Sequence, residues 1–490
     1  MRLTDLMDGD GVFISTPHGG DRPITGLTSD SREVKPGYLF AALAGSHTDG
    51  ARFIADAVAR GATAILVADP APFENIGVPI IADPNPRRRL ALMAARFHGQ
   101  QPAIIAAVTG TNGKTSVAAF TRQLWERAGL AAASLGTIGL VAPGLSRPGS
   151  LTTPDPVALH RTLAELARAG IDHVAIEASS HGLDQYRLDG LTPAAACFTN
   201  LTRDHLDYHR DMAAYFAAKR RLFTDLLPPD GTAIINLDSA EGRELAASCH
   251  ASGQRVIGFG RARRADIRLV EALPDASGQR IVVDAAGLRR TLHLPLLGEF
   301  QAMNALAAVG LAAATGVNVA AALEALPTLE GAPGRMARVA QHPNGAPVIV
   351  DYAHTPDALE TVLAALRPHC RGRLIVAFGC GGDRDPGKRP MMGEIAARRA
   401  DIVIVTDDNP RSEDAASIRR AILAACPGAR EIGDRAHAIA EALALLESGD
   451  LLLLAGKGHE SGQIVGSTVL PFDDAEVARA AVASLQRRPS

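Results

Sequence analysis

Short apolar runs, each closed by glycine or a polar cluster, recur along the chain and alternate with stretches whose apolar residues fall at helical spacing. Uninterrupted apolar runs belong to strands buried on both faces, and their alternation with helices predicts parallel sheets covered by helices. The first series has strands at 64–67 and 79–81 and a helix at 89–97, inside a small unit running from Gly26 to about Gly99. The second has strands at 104–108, 173–176, 194–198 and 233–236, with a helix at 157–169. The third has strands at 348–350, 374–378, 402–405 and 451–454 and reads as another doubly wound sheet. Gln100-Gln101-Pro102 and Glu330-Gly331-Ala332-Pro333-Gly334 mark the breaks between them.

The strand at 104–108 runs directly into Thr109-Gly110-Thr111-Asn112-Gly113-Lys114-Thr115-Ser116. Gly110 and Gly113 let backbone N–H groups turn toward an anion, Lys114 adds a positive charge, and the Thr115 hydroxyl suits magnesium. That is a phosphate cradle, and ATP is the ligand it predicts. The spacing departs from the common P-loop pattern, because Val108 stands where that pattern has its first glycine. The expected fold class is α/β in three domains: a small N-terminal α/β domain at 1–100, a central P-loop-like parallel-sheet ATPase domain at 101–332, and a C-terminal Rossmann-like domain at 333–490.

In open parallel sheets ligands collect beyond the carboxyl ends of strands. Glu177-Ala178-Ser179-Ser180-His181-Gly182 follows one such strand, and Glu177 becomes a magnesium ligand if this strand neighbours the cradle; Ser179 and Ser180 serve equally well as helix caps. Another strand leads into Thr199-Asn200-Leu201-Thr202-Arg203-Asp204-His205-Leu206-Asp207-Tyr208-His209. Here His205 is a candidate for a second magnesium, although that ion prefers oxygen donors. Lys219, in Ala217-Ala218-Lys219-Arg220-Arg221, reads on its own as a solvated helix lysine. In the third series the polar ends are Asp351-Tyr352-Ala353-His354-Thr355-Pro356, Gly381-Gly382-Asp383-Arg384-Asp385, Asp408-Asn409-Pro410-Arg411 and Gly456-Lys457-Gly458-His459-Glu460. Arg384 and Arg411 offer forked donors for carboxylates, while Asp408 and Glu460 suit an ammonium group, so the set fits a zwitterion. The sequence carries its own control: Asn85-Pro86-Arg87 repeats the Asn-Pro-Arg tripeptide as a turn into a helix. Thr355-Pro356 is likewise a helix start, which leaves His354 as its neighbour.

At 490 residues, 47 % hydrophobic with 4 % aromatic, the chain has ample core for three domains. The alanine-rich stretch at 309–326, interrupted by Asn318 and Glu324, is too short for a membrane span, and Asp5, Asp8 and Asp10 fall where a signal sequence would be apolar. Cytoplasm is the expected compartment, with no membrane partner. The five cysteines are scattered and odd in number, which indicates neither disulfides nor a zinc site. A net charge of −3 gives no bulk attraction to nucleic acid, so an anionic substrate must be met by local clusters.

The ordered set of Gly110–Thr115, Thr152-Thr153-Pro154, Glu177 with Ser-Ser-His-Gly-Leu, Asn200 to Asp207, and Ala218-Lys219 resembles the Mur ligases over nearly the whole chain. Within them it is similar to the members that add the third residue of the peptidoglycan stem peptide. The resemblance implies an ATP-dependent ligase that converts a substrate carboxylate to an acyl phosphate, which an amine then attacks. It implies Gly110, Thr111, Asn112, Gly113, Lys114, Thr115 and Ser116 at ATP, and two Mg²⁺ ions held by Thr115, Glu177, His205 and Lys219. Lys219 matches a lysine carbamylated by carbon dioxide, and with Lys114 and His205 it makes up the catalytic set. UDP-N-acetylmuramoyl-L-alanyl-D-glutamate is expected at Ser31, His47, Thr152, Thr153, Ser179, Gln185 and Arg187. Asp408-Asn409-Pro410-Arg411 resembles the motif of members that add meso-diaminopimelate, with Arg384, Gly456 and Glu460 completing that pocket. Gln301 stands where many relatives have asparagine, leaving Asn304 with Arg335 on the nucleotide side, and Ala337 stands where an acidic residue is common. The partners implied are these small molecules alone, acting on a monomer. A lysine-adding ligase and a folylpolyglutamate-synthetase-like enzyme remain alternatives, as does a non-catalytic nucleotide-binding regulator.

Overall fold

A computed structural model describes residues 1–7, 12–14, 21–45, 48–73, 76–149 and 151–486. The chain folds as two compact units, one of Met1–Lys114 with Gly129–Ile257 and the other of Thr115–Ala128 with Gly258–Ser490.

The first unit opens with a sheet in which Gly26–Thr28, Tyr38–Ala41, Ala64–Val67 and Ile80–Ala82 run parallel and Val12–Ile14 closes the edge antiparallel. Alternate residues of these strands supply two separate cores. Leu39, Ala41, Leu66 and Ile81 pack on one face, and Phe40, Ile65, Val67 and Ile80 on the other. That two-sided burial explains why the strands read as unbroken apolar runs. The helix Pro86–His98 is set by local chemistry: Asn85 caps the Arg88 N–H, Pro86 occupies the first turn, and Gly99 ends the helix at φ 72°.

The second sheet of this unit places Ile104–Thr109 between His173–Glu177 and Ala195–Phe198, all parallel. Thr232–Asn236 continues it on one side and Ala132–Gly136 on the other. Glu177 pairs with Val108 and Phe198 with Thr109, so three strands finish level with one another. Asp189, 2 % exposed, accepts from Arg88 of the N-terminal helix and from Arg221 at the end of the helix Met212–Arg221, tying both helices to one buried carboxylate.

In the second unit an antiparallel meander, Ile267–Asp275, Gly278–Ala285 and Leu288–Leu294, precedes the long helix Glu299–Ala314. The sequence reading missed this meander, in which Gly278–Ala285 and Leu288–Leu294 alternate between more and less buried residues without a matching polar–apolar alternation in sequence. The third sheet follows, with Pro347–Asp351, Leu451–Ala455, Leu374–Phe378 and Ile402–Val405 side by side and parallel. Asp351 pairs with Ala455, Ala455 with Phe378, and Phe378 with Val405, which again levels the strand ends. The predicted strands and helices of all three series are present, with ends moved by a few residues: Pro156–Arg168 for 157–169, and Pro86–His98 for 89–97. No helix among the described residues is long and apolar enough to cross a membrane.

One buried ion pair braces the strand ends of the third sheet. Arg435, 2 % exposed at its side chain, donates twice to Asp474, which is 0 % exposed, and once to the carbonyl of Ala455. Removing one member of such a pair strands a charge in the core. Arg435→Met is expected to destabilise this domain by about 3–5 kcal/mol, read as faster hydrogen exchange of the Leu451–Ala455 amides, while Arg435→Met with Asp474→Leu recovers most of the loss.

Candidate active site

The strand Ile104–Thr109 ends at Gly110, whose φ of 146° turns the chain back over the sheet. A Cβ there would lie 1.9 Å from the Thr199 hydroxyl, so the loop closes only around a glycine. The neighbouring strand end braces that loop. Thr199 Oγ1 donates to the Asn112 carbonyl at 2.6 Å, Asn200 Oδ1 accepts from the Asn112 N–H at 2.9 Å, and Thr111 N–H donates to the Asn200 carbonyl at 2.9 Å. Thr111 Oγ1 accepts from Thr202 N–H and from the Tyr215 hydroxyl. Lys114 begins the following helix and folds back, its Nζ donating to the carbonyls of Gly110 and Thr111 at 2.9 and 2.8 Å.

Lys219 corrects the reading of a solvated helix lysine: its side chain is 1 % exposed. The helix Met212–Arg221 aims its Nζ at the Gly110 carbonyl, 2.8 Å away, and over the Tyr215 ring at 4.2 Å. Burial, reinforced by the charge of Lys114, holds the Lys219 ammonium well below the ordinary lysine value. Burial there favours the uncharged amine over the ammonium. Tyr215, wholly buried, has its hydroxyl pushed up to about 12 by burial and remains a donor.

Glu177, 2 % exposed, is oriented by Thr137, whose N–H meets Oε1 at 2.8 Å and whose hydroxyl meets Oε2 at 3.1 Å. Its carboxylate packs against Gly136, where a Cβ would lie 2.1 Å from Oε1. Thr152 joins through the Thr137 hydroxyl at 3.0 Å. Thr153 Oγ1 donates to the Glu177 carbonyl, contacts Ser179 Oγ at 3.0 Å and accepts from Ser179 N–H. Arg187 donates to the Thr153 carbonyl and to Gln185 Oε1, and Gln185 reaches Tyr208, which donates to Asp184. Thus Thr152, Thr153, Ser179, Gln185 and Arg187 lie in one connected network beside Glu177. Tyr208 and Asp184 belong to it and were not singled out from sequence.

His205, at φ 53°, stacks edge-on with His181 at 4.9 Å and sits within the fields of Lys114 and Lys219. Burial and the charge of Lys114 lower its tendency to take a proton, and burial beside His205 and His209 brings His181 down to about 4. Both imidazoles are therefore neutral near pH 7, the form that ligates a metal. Among the described residues no three His, Cys, Asp or Glu cluster as a ready-made metal site. Glu177 and the Thr115 hydroxyl fit a hard ion by donor chemistry. Ser31 lies in the short helical turn Ser31–Glu33 of the first sheet, and no hydrogen bond among the described residues joins it to the network above; His47 lies outside the described residues.

In the second unit Asn304 donates to Gln301, Gln301 donates to the Arg335 carbonyl, and the Arg335 guanidinium lies over the Tyr352 ring at 4.7 Å. At the level ends of the third sheet Asp408 and Asn409 are buried, and Gly456, at φ 112°, leaves no room for a Cβ against Asp408 Oδ2. Arg411 takes φ 51°, held by its N–H to the Ile464 carbonyl and by Gly466 N–H to its own carbonyl. Its NH1 donates to the Gly382 carbonyl at 2.8 Å. A Cβ at Gly381 would lie 2.8 Å from Arg411 NH1 and 3.9 Å from Arg384 Cγ, so the two arginines lie close to one glycine. Asn409 Nδ2 donates to Glu460 Oε2 at 2.8 Å.

A family model for the Mur ligase middle domain matches residues 108–312, one for the Mur ligase glutamate ligase domain matches 334–458, and one for the Mur ligase family catalytic domain matches 23–98. The UDP-N-acetylmuramoyl-L-alanyl-D-glutamate--2,6-diaminopimelate ligase of Bradyrhizobium diazoefficiens is 58 % identical over 99 % of both chains. The chain belongs to the Mur ligase family. The protein of the same name from Mesorhizobium japonicum is 54 % identical over 98 % of this chain and 99 % of that one. A solved structure bearing that enzyme name superposes with a TM-score of 0.71 at 34 % identity, covering 95 % of this chain and 96 % of the other. The three-domain α/β architecture of a Mur ligase is thereby established, with the cradle in its middle domain.

Lys219 lends itself to a stability test. The unfolded chain holds a proton at this lysine up to about its ordinary value of 10.5, and the folded chain releases it at a lower pH. Between the two values the unfolded state binds more protons, so the cost of burying the lysine shrinks as pH rises. Lys219→Met is expected to be more stable than the parent chain at neutral pH in buffer free of carbon dioxide, with the advantage narrowing toward pH 10.5 in denaturant titrations.

Proposed function

We propose that this Mur ligase uses ATP to join meso-diaminopimelate to UDP-N-acetylmuramoyl-L-alanyl-D-glutamate, with domains at 1–100, 101–332 and 333–490. The observation that carries the reading is Lys219, withdrawn from water onto the carbonyl of the phosphate-cradle glycine. A solvent-free lysine at that position has no carboxylate partner within salt-bridge distance among the described residues, and its neutral amine suits addition of carbon dioxide. The Nζ lone pair bonds to the carbon of carbon dioxide, one C=O π bond opens onto oxygen, one proton leaves the nitrogen, and the amine becomes an anionic oxygen donor.

In this reading the backbone of Gly110–Gly113 and Lys114 hold the ATP phosphates, with Thr115 and Ser116 at the start of the helix. Magnesium, when bound by Thr115, Glu177, His205 and carbamylated Lys219, supplies the positive charge that phosphoryl transfer between concentrated anions requires. Thr137 fixes both oxygens of Glu177, so that ligand is oriented before substrate arrives. Thr152, Thr153, Ser179, Gln185 and Arg187 hold the muramyl dipeptide, and Ser31 and His47 the uridine nucleotide. The substrate carboxylate oxygen bonds to the γ-phosphorus of ATP while the bond from that phosphorus to the β,γ-bridging oxygen breaks and ADP leaves. The acceptor nitrogen then bonds to the activated carbonyl carbon and loses a proton, while the C–O bond to phosphate breaks and phosphate departs.

Asn304 and Arg335 serve the nucleotide, and Arg384, Asp408, Asn409, Pro410, Arg411, Gly456 and Glu460 the amino acid. Arg411 and Arg384, both close to Gly381, favour an acceptor with a second carboxylate over lysine, because a guanidinium left without that anion forfeits a charge-assisted bond. The small-molecule reaction takes place in the cytoplasm on a monomer.

Phosphate release with ATP, magnesium and the muramyl dipeptide substrate is expected with meso-diaminopimelate and not with L-lysine or without amine. Release with lysine reassigns the acceptor; silence with every amine favours a nucleotide-binding regulator. Arg411→Ala is expected to raise KM for diaminopimelate roughly ten- to a hundredfold, the equivalent of about 1.5–3 kcal/mol for a charge-assisted bond. Lys219→Ala is expected to lower kcat by about 10²–10³-fold, as for loss of one group that stabilises transition-state charge.

A further inference from the structure

Lys457 ends in an ammonium group but is 0 % exposed. It lies between Gly456 at φ 112° and Gly458 at φ 57°, two left-handed residues that turn the chain so its side chain enters the protein. A buried ammonium persists only where its charge is met. Here Nζ donates to Asn409 Oδ1 at 3.1 Å and pairs with Glu460 Oε2 at 3.3 Å. Asn409 Oδ1 also accepts from the Ile464 N–H at 2.9 Å, and with two donors on that oxygen the amide has only one sensible orientation. Its Nδ2 therefore points at Glu460, donating to the same Oε2 at 2.8 Å. Two donors converge on one oxygen of Glu460, and among the described residues none falls on Oε1. The carboxylate remains 32 % exposed.

We propose that Lys457 is a positioning residue of the acceptor pocket: it pins Oε2 of Glu460 and the amide of Asn409, leaving Oε1 to accept from an ammonium group of the incoming amino acid. This rests on the acceptor pocket proposed above. A fixed carboxylate meets its cation without first losing side-chain freedom, which is a gain in binding and not in chemistry.

Steady-state kinetics of the full chain, varying diaminopimelate and ATP separately, give the test. Lys457→Met is expected to raise KM for diaminopimelate by about tenfold while KM for ATP stays within about twofold. Because Lys457 acts through Glu460, adding Glu460→Gln should cost less than about threefold beyond the worse single variant. Losses that multiply, or an equal rise in KM for ATP, overturn the proposal. Should Lys457→Met fail to fold for want of a partner to Glu460, the double variant removes both charges; a KM equal to that of Glu460→Gln alone then supports the proposal, and a further rise of about tenfold overturns it. A parent chain that turns over no diaminopimelate overturns the ligase reading and this proposal together, whereas multiplied losses in an active parent overturn this proposal alone.

Discussion

The carbonyl of Gly110 accepts from two lysines, Lys114 at 2.9 Å and Lys219 at 2.8 Å, and the arrangement of the first unit follows from that convergence. Two full ammonium charges sharing one neutral acceptor repel each other, more so where water is excluded. Lys219, the more buried, yields: burial and the Lys114 charge both favour its neutral form. The geometry demands a glycine at 110, because only that residue brings the carbonyl and the Thr199 hydroxyl so near each other. It also demands that the helix Met212–Arg221 keep a fixed azimuth, which Arg221 supplies by holding both oxygens of Asp189 with Nη2 and the Leu183 carbonyl with Nη1. An anion pocket with one cation and one neutral amine can accept phosphate and still undergo a change of charge.

Level strand ends do the rest of the assembly. Parallel pairing sets Glu177 against Val108 and Phe198 against Thr109, so the residues that follow each strand must share one rim. The segment after Phe198 stiffens the cradle loop through the side chains of Thr199 and Asn200 and the Asn200 carbonyl, while Glu177 is reached from the other side by Thr137 and, through it, Thr152. Loops positioned this way inherit the rigidity of the sheet, so two hydrogen bonds from Thr137 are enough to fix both oxygens of Glu177.

Much of this was legible because it depends on patterns that sequence carries directly. Continuous apolar runs revealed strands in each of the three sheets, and the cradle lay in one short segment; Gly26–Thr28, Tyr38–Ala41 and Ala132–Gly136 escaped the reading. The meander Ile267–Leu294 was not legible, because its strands carry no helix between them and break the βαβ rhythm on which the reading relied. Lys219 was misjudged from sequence because its burial comes from contacts distant along the chain, with Gly110 more than a hundred residues away. The tripeptide Asn-Pro-Arg shows the limit most clearly. At 85–87 the asparagine caps a helix by accepting from Arg88 N–H, and at 409–411 the same side chain is buried, accepts from Lys457 and Ile464, and precedes an arginine at φ 51°. Nothing within the three residues distinguishes the two; the difference lies in Lys457 and in the hairpin Gly462–Pro471 that folds over the second copy.

Lys219 and Lys457 are both withdrawn from water, and their partners assign them opposite tasks. Lys219 meets a carbonyl, an aromatic face and the field of another cation, none of which compensates a full positive charge as a carboxylate would. Lys457 meets the Glu460 carboxylate and an amide oxygen whose other lone pair is already taken by a backbone N–H. The first setting favours loss of a proton and so leaves a nucleophilic nitrogen beside the phosphate cradle. The second turns its donors to Glu460 and Asn409 and holds a carboxylate still. A lysine-to-arginine exchange would be conservative at neither site, for a guanidinium cannot become neutral at the first and, being planar and larger, cannot fill the point-charge niche of the second.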